Sequence, residues 1–337
     1  MSEHPIRAVV PCRACLSGED LDWLGGGRSV SLALALPTTV EVVPRGAAGQ
    51  AGGAADGDGG WRDEVWAFLR GRIPGLAPVP PPVLVHSEAP PASGLSSSTA
   101  LIVALFRAFA GAGTADLASR RPAPSDRTIA QWAYEFEFAR FHGGGMDHLA
   151  VVEGGALLLD GRERGLPVVR ERLGLPEEWR VVVVDSGTRK DTRHHIRDVR
   201  AQLAAGDPEL AAYRRAADGA SERVWEALRG RDLAALGAAM TDAHVAMRDH
   251  QGMSTPLLED LRRTARRSAG LPLKLSGAGG GGALVGVCRA EALAETVDRL
   301  RRALHGAHPA ARVLPTTAAP GVRGTPPRAP VPAADGG

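Results

Sequence analysis

The chain has 337 residues, of which 44% are hydrophobic and 23% are charged, as is ordinary for a globular protein in water. Single hydrophobic cores stop growing near about 250–300 residues, so this length predicts two lobes. The formal net charge of +2 gives no reason to expect a nucleic acid or a membrane as partner. The chain has neither an apolar run of about 18 residues nor a start that resembles a signal peptide, so we expect a cytoplasmic protein.

Apolar, β-branched runs predict strands, and apolar residues at helical spacing predict helices. The predicted strands lie near residues 6–16, 29–43, 83–86, 181–185, 283–288 and 311–314. The predicted helices lie near residues 61–69, 128–141, 191–216, 219–229, 231–249, 255–269 and 290–305, with a further helix from a serine-rich loop to about residue 110. A Gly/Ala/Asp tract over residues 46–60 predicts a surface loop, and the Pro/Gly/Ala-rich end from Thr316 predicts disorder.

The cysteines do not indicate a disulfide framework, since there are three of them: Cys12, Cys15 and Cys288. Cys12 and Cys15 have the spacing of a redox or zinc motif, but they lie in a predicted strand and no second ligand pair follows at a fitting interval. We therefore favour buried cysteines. His244 and His250 are six residues apart and do not share a helix face, which favours core or surface histidines over a zinc pair.

The serine-rich stretch from Pro90 to Ala100 lies between a predicted strand and an apolar, helix-like run. Its composition predicts a strand, a tight loop and a helix N-terminus, where unpaired N–H groups and the helix dipole favour an anion. A serine-capped helix after a proline turn explains the same residues equally well when this stretch is taken alone.

Three other stretches have compositions that are unusual for plain connectors. An acidic loop over residues 17–27 carries Glu19, Asp20 and Asp22, and a glycine turn at residues 143–145 precedes Asp147. A second glycine-rich loop occupies residues 274–282. Each is weak evidence for a site, but a purely structural interpretation would have to explain all of them separately.

The order of these features resembles the GHMP kinase superfamily, and it is most similar to the galactokinase and sugar 1-kinase branch. Motif one spans Arg13–Gly26, motif two Pro91–Ala100 and motif three Lys274–Gly282. The resemblance implies an α+β fold of two lobes with the active site in the cleft between them. We expect an N-terminal lobe over residues 1–178, a C-terminal lobe over 179–315 and a disordered tail over 316–337.

The resemblance also implies that ATP, with Mg²⁺, lies over the helix that follows motif two. The implied ATP-binding residues are Pro91, Gly94, Leu95, Ser96, Ser97, Ser98, Gly277, Ala278, Gly279 and Gly280. Ser98 would be one magnesium ligand, because a hydroxyl oxygen suits this cation. Glu137 would be its carboxylate partner, and Glu135 remains an alternative.

For the chemistry, the resemblance implies that Asp147 is the catalytic base and that Arg13 offsets developing charge. A structural alternative for Asp147 is a cap of the turn after the helix. The implied substrate-binding residues are Glu19, Asp20, Asp22, Gly145 and Asp147. Asp20 stands where galactokinases have histidine, Trp23 stands for tyrosine, and His148 replaces a usual glutamine without an assigned role.

The expected activity is phosphorylation of a hydroxyl on a small polar molecule, most simply the anomeric hydroxyl of a monosaccharide. A non-sugar alcohol, as in mevalonate or homoserine kinase, and a catalytically silent ligand sensor are the alternatives. We expect a monomer or homodimer. The segment from Asp185 to Thr192 carries hydroxyls and cations that could line the substrate pocket.

Overall fold

The computed structural model describes residues 6–43, 60–116, 124–189 and 192–324. The predicted loop at 46–60, apart from its last residue, and the end of the predicted tail lie outside these ranges. Its strands are β1 (Arg7–Ser17), β2 (Arg28–Val42), β3 (Val83–Ser87), β4 (Ala156–Asp160), β5 (Val168–Leu173), β6 (Trp179–Asp185), β7 (Lys274–Leu275), β8 (Ala283–Arg289), β9 (Arg312–Thr316) and β10 (Arg323–Gly324). Its helices are α1 (Trp61–Arg70), α2 (Ser97–Asp116), α3 (Asp126–Phe141), α4 (Met146–Glu153), α5 (Thr192–Ala205), α6 (Pro208–Arg229), α7 (Leu233–Gln251), α8 (Pro256–Ala269) and α9 (Leu293–His305).

The strands form two antiparallel sheets. The first has the order β10-β1-β2-β4-β5, with β3 also paired to β2, and the second has the order β7-β8-β6-β9. Helix α2 packs on β1 and β2, and α8 and α9 pack on each other beside the second sheet. This arrangement confirms the expected two-lobed α+β fold, while the boundary at residue 178 stays a prediction. None of the described helices is long and apolar enough to span a bilayer.

Strand β6 joins the two hydrophobic cores. Its run of four valines is buried throughout, and successive side chains point to opposite faces of the sheet. Val181 and Val183 therefore pack in one core, which extends into the first sheet, while Val182 and Val184 pack in the other, with α8 and α9. The two cores thus pack against opposite faces of the same strand.

The acidic loop between β1 and β2 is anchored in the second core. Leu21, Trp23 and Leu24 are buried there, although the chain enters and leaves the loop through the first sheet. Burial of these three side chains removes apolar surface from water, and each Å² of apolar surface buried stabilises the fold by about 25 cal/mol. The loop carboxylates are consequently held at the junction of the lobes.

The helix predicted over residues 191–216 is wrong in its extent. The helix is interrupted at Asp207, and Pro208 is the first residue of α6. The Asp207 side chain accepts the N–H of Glu209 at 2.7 Å. Proline fits the first helical turn, where its missing N–H is not needed, and it ends a preceding helix. Residues 208–229 therefore form one helix in place of the two predicted.

The disorder predicted from Thr316 is wrong for residues 316–324. Isolated bridges join Ala318 to Leu34 and Pro320 to Gly154, and β10 pairs with β1. The N–H of Ala319 donates to the Ala33 carbonyl at 3.0 Å. Backbone hydrogen bonds to strand edges hold this segment, and composition gives little sign of such bonds.

We expect Gly321→Ala to lower the melting temperature by a few degrees. A Cβ at Gly321 would lie 1.9 Å from the Val152 carbonyl oxygen, so either this segment or α4 must move. Gly306→Ala is the matched control, because a Cβ there meets nothing within 4 Å. Thermal unfolding of both variants checks the prediction, and equal melting temperatures would show that the segment is not packed.

Candidate active site

A cavity of about 420 Å³ lies between the lobes. Its wall contains residues from all three motifs, from α3 and α4, and from the start of α5. Among the residues predicted from the sequence, it is lined by Arg13, Glu19, Asp20, Asp22, Gly94, Ser96, Ser97, Ser98, Glu137, Asp147, Gly277 and Ala278. Pro91, Leu95, Gly145, Gly279 and Gly280 do not line it. Leu95 is fully buried in the core, although its carbonyl accepts the Arg13 N–H at 3.0 Å.

The N-terminus of α2 opens onto this cavity. The helix starts at Ser97 and its first turn contains no carboxylate. The N–H of Ala100 donates to the Ser96 carbonyl at 2.9 Å. The N–H groups of the first-turn residues before it have no carbonyl acceptor within the helix. Gly94 and Ser96 have φ values of 85° and 58°, which turn the chain sharply into the helix. These features suit an anion such as a phosphate.

Motif three and Ala283, the residue that follows it, bond directly to motif two. The Ala283 N–H donates to the Ser93 carbonyl at 2.7 Å, and a Cβ at Gly282 would lie 2.5 Å from that oxygen. The Ser276 hydroxyl donates to the Gly94 carbonyl at 3.2 Å and accepts the Cys15 N–H at 3.1 Å. The glycine at 282 is thus needed for close approach, and one serine joins the three motifs.

Asp147 lies in the first turn of α4, where two side chains hold its carboxylate. Arg13 donates from Nε to Oδ1 at 2.6 Å, and Ser96 donates to Oδ2 at 2.5 Å. Burial alone would raise the pKa of Asp147, but the Arg13 charge and these hydrogen bonds outweigh it and hold the pKa below its ordinary value. Asp147 is therefore ionised at neutral pH. The Arg13 Nη1 also donates to the Gly94 carbonyl at 2.6 Å, which ties β1 to motif two.

Asp22 is a buried carboxylate of the cavity, and it forms no ion pair with the Lys and Arg side chains that the structure describes. Its Oδ2 accepts the Met146 N–H at 2.9 Å, and a Cβ at Gly144 would lie 1.8 Å from the same oxygen. The glycine turn thus leaves room for this carboxylate. Burial raises the pKa of Asp22 to about 7, despite the bond from Met146. Asp22 can therefore exist in either protonation state near neutral pH.

Glu19 is paired with Lys274, the first residue of motif three. Lys274 is fully buried, and its Nζ lies 2.5 Å from Oε1 of Glu19 and also donates to the Cys15 and Leu275 carbonyls. The Gly277 N–H donates to Oε1 at 3.2 Å. The buried Oε2 of Glu19 has no hydrogen-bond partner among the described residues. One carboxylate oxygen is thus fixed, and the other is left to accept a bond.

His244 fixes the strand that carries Lys274. Its Nδ1 accepts the Leu275 N–H at 3.1 Å, and its Nε2 lies 2.6 Å from Glu259. Burial lowers the pKa of His244 to about 4 and outweighs the nearby carboxylate, so the ring is neutral at pH 7. His244 is therefore a core histidine, in agreement with the interpretation from the sequence.

Ser98 and Glu137 provide oxygen atoms that suit magnesium. Both line the cavity, whereas the alternative Glu135 pairs with Arg72 at 2.8 Å and does not. Oε2 of Glu137 lies 2.6 Å from Nε2 of His148, yet neither atom has a hydrogen bond of acceptable angle within the described chain. No group of three or more His, Cys, Asp or Glu side chains in the described ranges could hold a metal alone. The two residues fit a cation that takes its other ligands from phosphate and water.

The cavity wall that α5 provides was not predicted from the sequence. Arg193 and His195 line it together with Thr192, and Phe138 and Phe141 of α3 lie beside them. The polar segment ending at Thr192 pointed towards this wall, but α5 has no motif that marks its side chains as functional. The bond of Ser96 to Asp147 was also missed, because Ser96 was grouped with the phosphate-binding residues.

Two family models match the chain: "GHMP kinases N terminal domain" over residues 64–155 and "GHMP kinases C terminal" over residues 225–306. Together they span just over half of it. The chain belongs to the GHMP kinase family. It is accordingly a phosphotransferase that acts on an alcohol group, and kinases of this family use ATP and typically require Mg²⁺.

Relatives with different named substrates resemble this GHMP kinase. A galactokinase of Mycobacterium bovis is 29% identical over 366 residues, which covers 92% of this chain and 97% of the relative. Lactococcus lactis galactokinase complexed with galactose has a TM-score of 0.71 at 18% identity, covering 95% of each chain. L. major mevalonate kinase in complex with R-mevalonate has a TM-score of 0.70 at 22% identity, covering 93% of this chain and 95% of its own. These two structures show the shared fold alone.

We expect Asp22→Asn to raise the melting temperature at pH 8 and to leave it nearly unchanged at pH 4. The ordinary pKa of 3.8 applies in the unfolded chain, and the folded value is about 7. Between these values the unfolded chain loses the proton first, so Asp22 reduces stability as pH rises from about 4 to 7. Asparagine cannot ionise and can still accept the Met146 N–H.

Thermal unfolding of the wild type and the variant across this pH range measures the effect, with a gain of several degrees expected at pH 8. Asp298→Asn is the control, because this aspartate is exposed on α9. A difference between variant and wild type that stays constant from pH 4 to pH 8 would contradict the raised pKa.

Removal of the buried cation at position 274 should be strongly destabilising. Lys274→Met leaves the Glu19 carboxylate buried and unpaired, at a cost of about 3–5 kcal/mol in the free energy of unfolding. The double variant Lys274→Met/Glu19→Gln should recover part of this loss, because the uncompensated charge is gone. Urea unfolding of both variants checks the pair, and a double variant less stable than Lys274→Met would contradict this account.

Proposed function

We propose that this GHMP kinase transfers the γ-phosphoryl group of ATP to the anomeric hydroxyl of a monosaccharide and forms a sugar 1-phosphate. The observation that carries this proposal is the position of Asp147. Its ionised carboxylate is held by Arg13 and Ser96 beside the N-terminus of α2, in the cavity that also contains Asp22. A hydroxyl placed there would lie between a proton acceptor and an anion site.

The residues divide into a phosphate side and an acceptor side. On the phosphate side, the first-turn N–H groups of α2 would bind phosphate oxygens, and Ser98 and Glu137 would hold the magnesium ion. Magnesium would neutralise charge on the β- and γ-phosphates and fix their positions. Gly277 and Ala278 would close the phosphate site from motif three.

In the reaction, the acceptor oxygen forms a bond to the γ-phosphorus while the bond from this phosphorus to the β–γ bridging oxygen breaks. The hydroxyl proton passes to Asp147. A carboxylate with a lowered pKa is a weak base, so Asp147 would mainly orient the hydroxyl and take the proton late, as expected for a loose transition state. Arg13 is close enough to this carboxylate to offset the charge that develops nearby.

The carboxylates of Asp22 and Glu19 favour an acceptor with several hydroxyl groups. Oε2 of Glu19 has no hydrogen-bond partner among the residues that the structure describes, Asp22 accepts a backbone N–H through Oδ2, and both side chains line the cavity. Carboxylate oxygens accept hydrogen bonds from hydroxyl donors. An acceptor that itself carries a carboxylate would be repelled by them, and the cations Arg13 and Lys274 are already paired.

One observation favours a second candidate, a non-sugar alcohol with an acidic group. Arg193 lines the cavity and lies 4.7 Å over the Phe141 ring, so it could receive a carboxylate of such an acceptor. The presence of Arg13, Ser98 and Asp147 in one cavity is evidence against a silent sensor. A cytoplasmic location and a monomeric or homodimeric state stay predictions.

The proposal is tested by ATP consumption with a panel of monosaccharides, mevalonate and homoserine. We expect turnover with at least one monosaccharide and identification of a sugar 1-phosphate by ³¹P NMR. Turnover of mevalonate or homoserine without any sugar would favour the second candidate. ATP binding with no turnover across the panel would contradict the kinase proposal for these acceptors.

The role of Asp147 has its own test. Asp147→Asn should lower kcat by about 10²–10⁴-fold, because the amide can neither take the proton nor pair with Arg13. ATP affinity measured by calorimetry should change little, since Asp147 is placed on the acceptor side. Asp298→Asn serves as an exposed control of the same chemical change. A variant with kcat within threefold of the wild type would exclude Asp147 from the chemistry.

A further inference from the structure

Asp20 has both carboxylate oxygens engaged by side chains of the protein. Its Oδ1 accepts the Trp23 indole N–H at 3.2 Å, and its Oδ2 lies 2.7 Å from Nε2 of His195. The Asp20 side chain is only 9% exposed. Although it belongs to the acidic loop, Asp20 therefore has both oxygens bonded within the protein and presents little surface to an acceptor.

The backbone holds Asp20 in an uncommon conformation. Its φ of 67° lies in the left-handed region, which side chains other than glycine adopt infrequently. The N–H groups of Trp23 and Leu24 bond the Asp20 carbonyl at 3.1 and 3.2 Å, and both of these side chains are buried in the second core. Such conformations persist where the surrounding structure fixes them, and they are concentrated at functional sites.

His195 is the partner that this rigid carboxylate holds. It lies near the start of α5, 175 residues after Asp20 in the sequence. It lines the cavity, and only 14% of its side chain is exposed. Farther along α5, Arg200 lies 5.0 Å over the Trp23 ring and donates to the His142 carbonyl. Two contacts with the acidic loop therefore fix the rotation of α5 and the side that it presents to the cavity.

We propose that Asp20 is a positioning residue that holds the imidazole of His195 against the acceptor, and that His195 selects the acceptor. A carboxylate on Nε2 keeps the proton on that nitrogen and fixes the plane of the ring. The ring then offers the acceptor a fixed flat face. The inference rests on the proposed function and deepens it, because it assigns acceptor choice to a pair of residues that joins the lobes.

The proposal predicts a specific pattern in acceptor kinetics. His195→Gln should raise the KM for the best monosaccharide of the panel at least tenfold and leave the KM for ATP within twofold. His194→Ala is the matched control on the same helix, because its side chain is 66% exposed and pairs with Asp198. It should change neither constant.

A double-mutant cycle separates positioning by Asp20 from direct contact with the acceptor. Asp20→Asn alone should raise the acceptor KM at least fivefold, since the amide has a single acceptor oxygen and cannot accept from both the Trp23 indole and Nε2 of His195. In the His195→Gln background the same change should have less than a twofold effect. Equal effects of Asp20→Asn in both backgrounds would show that Asp20 contacts the acceptor itself, and they would overturn the proposal.

The outcomes keep this inference apart from the proposed function. Turnover of a monosaccharide with the same KM in His195→Gln and in the wild type overturns only the inference. Turnover of mevalonate alone overturns the sugar proposal, and the same cycle measured with mevalonate still decides the role of Asp20. No turnover with any acceptor of the panel overturns both.

Discussion

The part-buried ion pair between Arg13 and Asp147 is the interaction on which the site depends. A carboxylate in this position without a partner would take up a proton, because burial disfavours its charged form. Arg13 prevents this, and its own position is fixed by the Gly94 carbonyl at the turn into α2. One guanidinium therefore sets the charge of Asp147 and holds motif two beside it, so the proposed proton acceptor and the proposed anion site have a fixed relative position.

The two aspartates of the cavity show how the surroundings divide the chemistry between identical side chains. The pKa of Asp147 is lowered because Arg13 pairs with it, whereas that of Asp22 is raised to about 7 because burial outweighs the Met146 N–H and the charge of Arg13. Pairs of titratable groups whose pKa values are pushed apart characterise sites with distinct acid and base roles. Asp22 thus carries a cost in stability at neutral pH, and such strain is expected where a residue is placed for function.

The parts of the fold and the site that could be predicted are those encoded by short stretches. The Gly94–Ser98 turn, the glycine turn before Asp147 and the four valines of β6 indicate local conformations, and the order of the motifs indicates the family. Pairings between distant residues gave no such signal. Lys274 lies 255 residues from Glu19 in the sequence, and the residues that flank either of them do not indicate that the two side chains are in contact. Residues 316–324 are held by backbone bonds, which any sequence can make.

The acidic loop belongs to the first sheet by chain connection and to the second core by packing, and this arrangement separates two tasks. The anion site at α2 depends on motif two and its supports, Arg13 and Ser276. Glu19 and Asp20 are instead fixed by Lys274 and His195, both from the second lobe. On the proposed function, substitutions in α5 or near β7 would therefore change which acceptor binds without altering the α2 N-terminus. The acceptor of the kinase would then depend on contacts across the lobes, which a motif in the first lobe alone does not determine.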